Sequence, residues 1–139
     1  MTNNRISLAA FTVAEGKQII GRFFDEATVS APENLLSPGL NLFVITVPGE
    51  SGRALPTTLL RNDERIRHGA QRLVDDLFGR AMRLRLRSLP VFDEPMRGSG
   101  DRELAFPHWT FVPFSEVLSI LGGKERIGLE LVSSHSVLG

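Results

Sequence analysis

The chain has no cysteine and no tyrosine, and only two of its 16 basic residues are lysines, Lys17 and Lys124. Without cysteine there is no disulfide framework, no thiolate nucleophile and no cysteine zinc site. No apolar run approaches the roughly 20 residues that cross a bilayer as a helix. The stretch Met1–Ser7 is polar and carries Arg5. It lacks the basic start, apolar stretch and small-residue cleavage site of a signal peptide, so a cytoplasmic protein is expected. Sixteen basic and 16 acidic side chains cancel to zero net charge. No global field then attracts nucleic acid or an anionic membrane, and neither is an expected partner. Internal repeats and low-complexity tracts are also lacking.

What remains is 139 residues with 42% hydrophobic content, enough for one core and too apolar for disorder. We expect a single domain over residues 1–139, with residues 25–40 as an irregular loop rich in Ser, Pro and Asn. Ile6–Val13 reads as a strand closed by Glu15-Gly16, and Gln18–Phe24 as its hairpin partner. Leu42–Val47 is the clearest strand, nearly continuous and β-branched, as for a strand buried on both faces. Pro48–Gly52 is a turn, and Arg53–Leu60 a short strand and loop.

Asn62 or Asp63 can cap a helix starting near Glu64. Ile66, Ala70, Leu73, Val74, Leu77 and Phe78 form its apolar stripe, and Gly79 stops it. Met82, Leu84 and Leu86 alternate with Arg83, Arg85 and Arg87 in a strand pattern. Asp93–Asp101 reads as a polar loop, and Glu103–Val112 as a strand with an edge or bulge at Pro107. Within it Trp109 and Phe111 share one face, expected to pack in the core; an exposed Trp109 at a pocket or dimer seam is the alternative. Ser115–Leu121 is a short helix, and Ile127–Val132 a strand or helical turn. The order implies a mixed α/β sandwich with one long central helix and a short C-terminal helix.

Other constellations carry little chemistry. His68, His108 and His135 have no metal-ligand spacing. Ser133-Ser134-His135-Ser136 has no nucleophile elbow, and Gly98-Ser99-Gly100 has no strand-to-helix context for a phosphate loop. The arginines are uneven: eight of 14 fall between residues 61 and 87. They could form a phosphate or nucleotide surface, or a solvated edge that discourages aggregation.

Ala54–Leu60, then Glu64, then a helix ending Asp75-Asp76-Leu77-Phe78-Gly79, resembles a degraded Nudix box, G-x5-E-x7-R-E-U-x-E-E-x-G-U with U a bulky apolar residue. With the first Gly set on Thr58, Glu64 matches the first Glu, Arg72 the Arg, Val74 the first U and Gly79 the second Gly. Phe92-Asp93-Glu94-Pro95-Met96-Arg97 resembles the F-x-x-P-x-R stretch of the ADP-ribose and Nudix-related transcriptional regulator branch. The resemblance covers residues 41–113 and implies a Nudix-like α/β/α sandwich with a mixed sheet. It departs at Thr58, at Leu73, at the Glu-Glu pair, here Asp76 and Leu77, and at Arg80.

Family members split nucleoside diphosphate derivatives with Mg²⁺ or Mn²⁺, which needs hard oxygen ligands clustered on one helix face. Two of those positions are leucine here. The leading expectation is therefore a non-catalytic module that binds a ligand or another protein, sensing ADP-ribose or a related nucleotide, with no cofactor. Candidate ligand contacts are Arg61, Arg72, Arg97 and Trp109. The alternative is an active Mg²⁺- or Mn²⁺-dependent hydrolase using Glu64, Asp75, Asp76 and Glu103, with Asp76, Asp75 and Glu64 on the metal. A third reading is a structural or assembly subunit without a small ligand. The regulators' winged helix would not fit in residues 114–139, and a homodimer is expected on base rates.

Overall fold

The computed structural model describes residues 2–20, 29–30, 39–50, 52–89, 92–95, 102–123 and 126–132. Contacts divide the chain into two compact units, Met1–Ala9 with Leu55–Thr110, and Ala10–Ala54 with Phe111–Gly139. The strand β1 (Thr2–Glu15) contributes to both.

In the first unit, β5 (Thr57–Leu59) runs antiparallel to β1, with Ile6 opposite Thr58. Amide bonds from Leu8 to the Pro56 carbonyl (3.0 Å) and from Leu60 to the Asn4 carbonyl (2.8 Å) extend this ladder at both ends. Helix α2 (Ile66–Phe78) buries Gly69, Ala70, Leu73, Val74, Leu77 and Phe78, the stripe expected from its periodicity save for Ile66, which is exposed. It runs close to β1 and the end of β5, because a Cβ on Gly69 would strike Ile6 Cδ1 and Leu60 Cδ1. Ile6, Leu8 and Val74 are among the most buried side chains of the protein. Gly79 ends the helix at φ 68°, a left-handed conformation that favours glycine.

The Met82–Arg87 stretch keeps its expected alternation, half-buried apolar residues between exposed arginines. Ladder pairing starts only at β6 (Arg87–Ser88), antiparallel to β8 (Arg102–Phe111). A second short strand, β7 (Phe92–Pro95), pairs with β8 from Phe92 opposite Ala105 to Pro95 opposite Arg102. That corrects the polar loop expected from Asp93 onward: pairing with β8 overrides the weak local preference of Asp93-Glu94-Pro95. Pro107, which has no amide to donate, falls in the gap between the two ladders, where its carbonyl accepts the Leu89 amide at 2.9 Å.

In the second unit, β3 (Leu40–Gly49) pairs antiparallel with β1, with β4 (Gly52–Ala54) across the expected turn, and with β9 (Gly128–Leu131). The strand β2 (Val29–Ser30) lies parallel to β9, so the pairing is mixed. β3 is not buried on both faces as expected. Phe43 and Ile45 are fully buried, whereas Leu42, Val44 and Val47 are half-buried. The hairpin strand expected at Gln18–Phe24 is corrected over Gln18–Ile20, because Gly16–Ile20 forms a short helix, α1; residues 21–24 lie outside the described residues. Gly16 donates to the Gly39 carbonyl (3.1 Å), one residue past the Glu15–Leu40 pair, and the Glu15 amide donates to Gln18 Oε1 (2.8 Å) across the start of the helix. Helix α3 (Phe114–Leu118) supplies Phe114 and Val117 to a core that includes Ala10, Ile127 and Leu129. Among the described residues no helix is long and apolar enough to cross a membrane.

Candidate functional site

The box-like segment lies in the first unit, and its charged residues are joined in a way that spacing alone does not give. α2 starts at Ile66, with Arg65 as its N-cap and no side-chain cap bond. This corrects the expected cap at Asn62 or Asp63 and the start near Glu64. Glu64 has another role. Its Oε1 accepts the Arg61 amide at 3.1 Å, closing the turn before the helix. Arg72 grips both Glu64 oxygens, Nε to Oε2 at 2.8 Å and Nη2 to Oε1 at 2.8 Å. The same guanidinium donates to Thr58 Oγ1 (3.1 Å) and to the Leu59 carbonyl (3.0 Å).

Arg72 thus ties β5, the 61–64 turn and α2 together. The pair is largely screened from solvent, with 18% and 12% of the Arg72 and Glu64 side chains exposed. A bidentate fork of this kind is strong and directional. The Arg72 hydrogen bonds, with the Arg61 amide and the two arginine charges, outweigh desolvation and lower the Glu64 carboxyl from 4.5 to about 2. The same hydrogen-bonded pairing raises Arg72 above its ordinary value.

Asp75 has a comparable structural role. Its Oδ1 accepts Gln71 Nε2 (2.8 Å) and the Met82 amide (3.0 Å), while Gln71 Nε2 also reaches the Met82 carbonyl (2.7 Å). This clip fixes the chain as it leaves the helix. Asp76 is exposed. Glu103 lies in β8 opposite Glu94. Leu73 and Leu77, at two of the positions where the family carries carboxylates, are buried, with 7% and 9% exposed.

Among the described residues, few oxygens of the box are left free for a divalent cation. Two ligand positions are hydrocarbon in the core, the Glu64 oxygens are held by a guanidinium, and one Asp75 oxygen already takes two donors. Among the described residues no three His, Asp or Glu side chains cluster to hold a metal.

The candidate ligand contacts separate. Arg61, itself exposed, and Arg72 meet at Glu64. Trp109 is half-buried on β8 with the Arg87 guanidinium 5.6 Å from its ring centre, a cation–π distance. Arg97 lies outside the described residues. On β8 the expected burial is reversed. His108 and Thr110 are buried, with 5% and 1% exposed, whereas Phe111 is 55% exposed. Hydrogen bonding permits this, since the Thr110 hydroxyl donates to the Arg85 carbonyl at 2.9 Å and His108 Nδ1 lies 2.9 Å from the Phe106 carbonyl.

The sequence reading also missed a cavity of about 380 Å³ within this unit, where Arg65, Ile66 and Arg67 at the start of α2 face Ser88, Leu89, Phe106 and His108. Its residues come from three separate segments, and none forms a motif with its neighbours in sequence.

No family model matches the chain, and no curated protein matches it by sequence. Solved structures do match. A MutT/Nudix family protein from Listeria innocua is 17% identical with a TM-score of 0.60, covering 91% of this chain and 76% of its own. NrtR from Shewanella oneidensis is 10% identical with a TM-score of 0.61, covering 98% of this chain and 54% of that one. The same protein complexed with a 27mer DNA gives 9% identity and a TM-score of 0.58, over 90% and 49%. The chain therefore spans about half the length of NrtR. At these identities the likeness establishes the fold: this is a Nudix-like α/β domain.

Proposed function

We propose that this Nudix-like domain binds ADP-ribose or a related nucleotide and does not hydrolyse it. The observation that supports this reading most is the burial of Leu73 and Leu77 on α2. A hydrolase of this fold needs carboxylates there, to gather a cation that neutralises the diphosphate and activates water. The Glu64–Arg72 pair adds weight, because it retains the box's fold-holding part without its metal-holding part. The nucleotide ligand rests on the sequence resemblance to the ADP-ribose and regulator branch. A neighbour solved with a 27mer DNA speaks against the expectation that nucleic acid is no partner, and DNA contact is not part of the proposal.

Thermal shift with ADP-ribose, with and without Mg²⁺, tests the reading, since a ligand that binds only the native state raises its apparent stability. We expect a rise in Tm that is independent of Mg²⁺, and ADP-ribose recovered intact. Turnover that requires Mg²⁺ or Mn²⁺ and disappears in Asp76→Ala would establish the hydrolase instead. No shift with any nucleotide would leave the structural subunit.

A further inference from the structure

We infer that β6 and the segment leading into it form a binding strip for single-stranded nucleic acid. Arg83, Arg85 and Arg87 take its phosphates, and the stacked pair Arg87–Trp109 takes a base. The strip goes beyond the proposed function and does not rest on the box.

The zero net charge of the chain conceals a division. The first unit holds 11 arginines against eight acidic residues, and the second five basic against eight acidic. Within the first unit Arg83, Arg85 and Arg87 are exposed, while Met82, Leu84 and Leu86 between them are half-buried. Three guanidinium groups therefore share one side of the segment, about 6–7 Å apart at strand spacing. Successive phosphates of an extended single strand have a similar repeat. Arg83 and Arg85 pair with no carboxylate among the described residues. The arginine fork binds phosphate oxygens directionally.

A row of charges alone would also suit a solvated edge. Trp109 separates the two. Its apolarity favours the core, yet β8 buries His108 and Thr110 and leaves Trp109 half-buried on the opposite face. There the register sets it directly across from Arg87, whose guanidinium lies 5.6 Å from the indole centre. The Thr110 hydroxyl donates to the Arg85 carbonyl at 2.9 Å, which keeps the arginine segment beside β8 beyond the ladder. A cationic plane stacked with an aromatic one, in line with a row of phosphate donors, is what an unpaired base and its backbone need. A duplex keeps its bases paired inside and leaves the indole unused. An acidic peptide supplies carboxylates and no base. The acidic positions Glu94 and Glu103, paired across β7 and β8, bound the strip six residues back along β8.

Trp109 is the one tryptophan of the chain, so its fluorescence reports the stack directly. The test is a titration of the 139-residue chain with oligouridylate of about ten nucleotides, read by anisotropy of a labelled strand and by tryptophan emission with an unlabelled one. We expect saturable binding, with log K falling by about 2 per decade of salt for three phosphate contacts. Tryptophan emission should change in step with occupancy. Arg83→Ala/Arg85→Ala should weaken binding by about tenfold or more and lower the salt slope by about 1.4. Its melting temperature should stay unchanged, because both residues are exposed. Trp109→Leu should weaken binding by about fivefold or more and keep the salt slope. If Trp109→Leu fails to fold, the arginine variant and the wild-type emission decide. No saturable binding, a duplex or polyglutamate bound as tightly, emission unmoved at saturation, or affinity unchanged in the arginine variant would overturn the inference. Excess ADP-ribose should not displace the oligonucleotide, and displacement would overturn the strip as a separate site. Loss of ADP-ribose binding with oligonucleotide binding intact would count against the proposed function alone.

Discussion

Restoring the missing carboxylates should unfold this protein before it could activate it. Leu73 and Leu77 sit in the core with 7% and 9% exposed, beside Ala70 and Val74. Leu73→Glu loses a buried leucine, about 1.5–3 kcal/mol of transfer free energy. It also places a carboxyl in that site, where desolvation without a partner costs about 2 kcal/mol or more even after the group neutralises. The sum is about 4 kcal/mol for one site, against a total stability of about 5–15 kcal/mol. A single substitution should therefore lower Tm by more than about 10 °C, and the double variant with Leu77→Glu should be largely unfolded at 25 °C. Leu73→Met, which conserves volume, should cost less than about 1.5 kcal/mol. Circular dichroism melts and urea titrations of the three variants measure this directly. A Leu73→Glu protein that melts within a few degrees of wild type and gains Mg²⁺-dependent turnover of ADP-ribose would refute the reasoning. It would mean that the face is an accessible catalytic surface.

Other substitutions separate anchors from bystanders. Asp75→Ala removes the acceptor of Gln71 and the Met82 amide and should cost about 1–3 kcal/mol in urea denaturation, whereas Asp76→Ala, at an exposed position, should stay within about 0.5 kcal/mol. The Glu64 carboxyl is depressed to about 2 from 4.5, so its stabilising effect is complete above the unfolded value and is lost as pH falls from about 4.5 to about 2. Urea titrations across that window should show the loss in wild type and a flatter profile in Arg72→Met, where the main cause of the depression is gone. Gly79→Ala forces a side chain into φ 68° and should cost about 1 kcal/mol, read from the same titrations.

Much of the fold is legible in the sequence because burial imposes a period. The stripe from Ala70 to Phe78 and the stop at Gly79 predict α2 closely. The start of that helix is not legible. Glu64 looks like an N-terminal helical residue until its carboxylate is seen gripping Arg72, eight positions away, and the Arg61 amide. A period also shows which residues share a face, but not which face is inside. On β8 the pattern separates His108 and Thr110 from Trp109 and Phe111, and apolarity points to the wrong side. The choice depends on the Arg85 and Phe106 carbonyls, which satisfy the buried polar pair. Short strands such as β2 and β7 take their conformation from the partners they meet, β9 and β8, and carry little local signal. The cavity is hidden for a related reason. Arg65, Ser88 and His108 are ordinary residues in sequence, and only the packing of α2 against β6 and β8 brings them to one wall.

The central claim is that the domain keeps the Nudix fold and has given up the metal chemistry of the box. Incubation of the purified chain with ADP-ribose and Mg²⁺ or Mn²⁺, followed by chromatography of the nucleotide, tests it most directly. The account predicts intact ADP-ribose, together with a Tm increase that needs no metal. Release of AMP and ribose phosphate in proportion to enzyme, lost in Asp76→Ala, would contradict it.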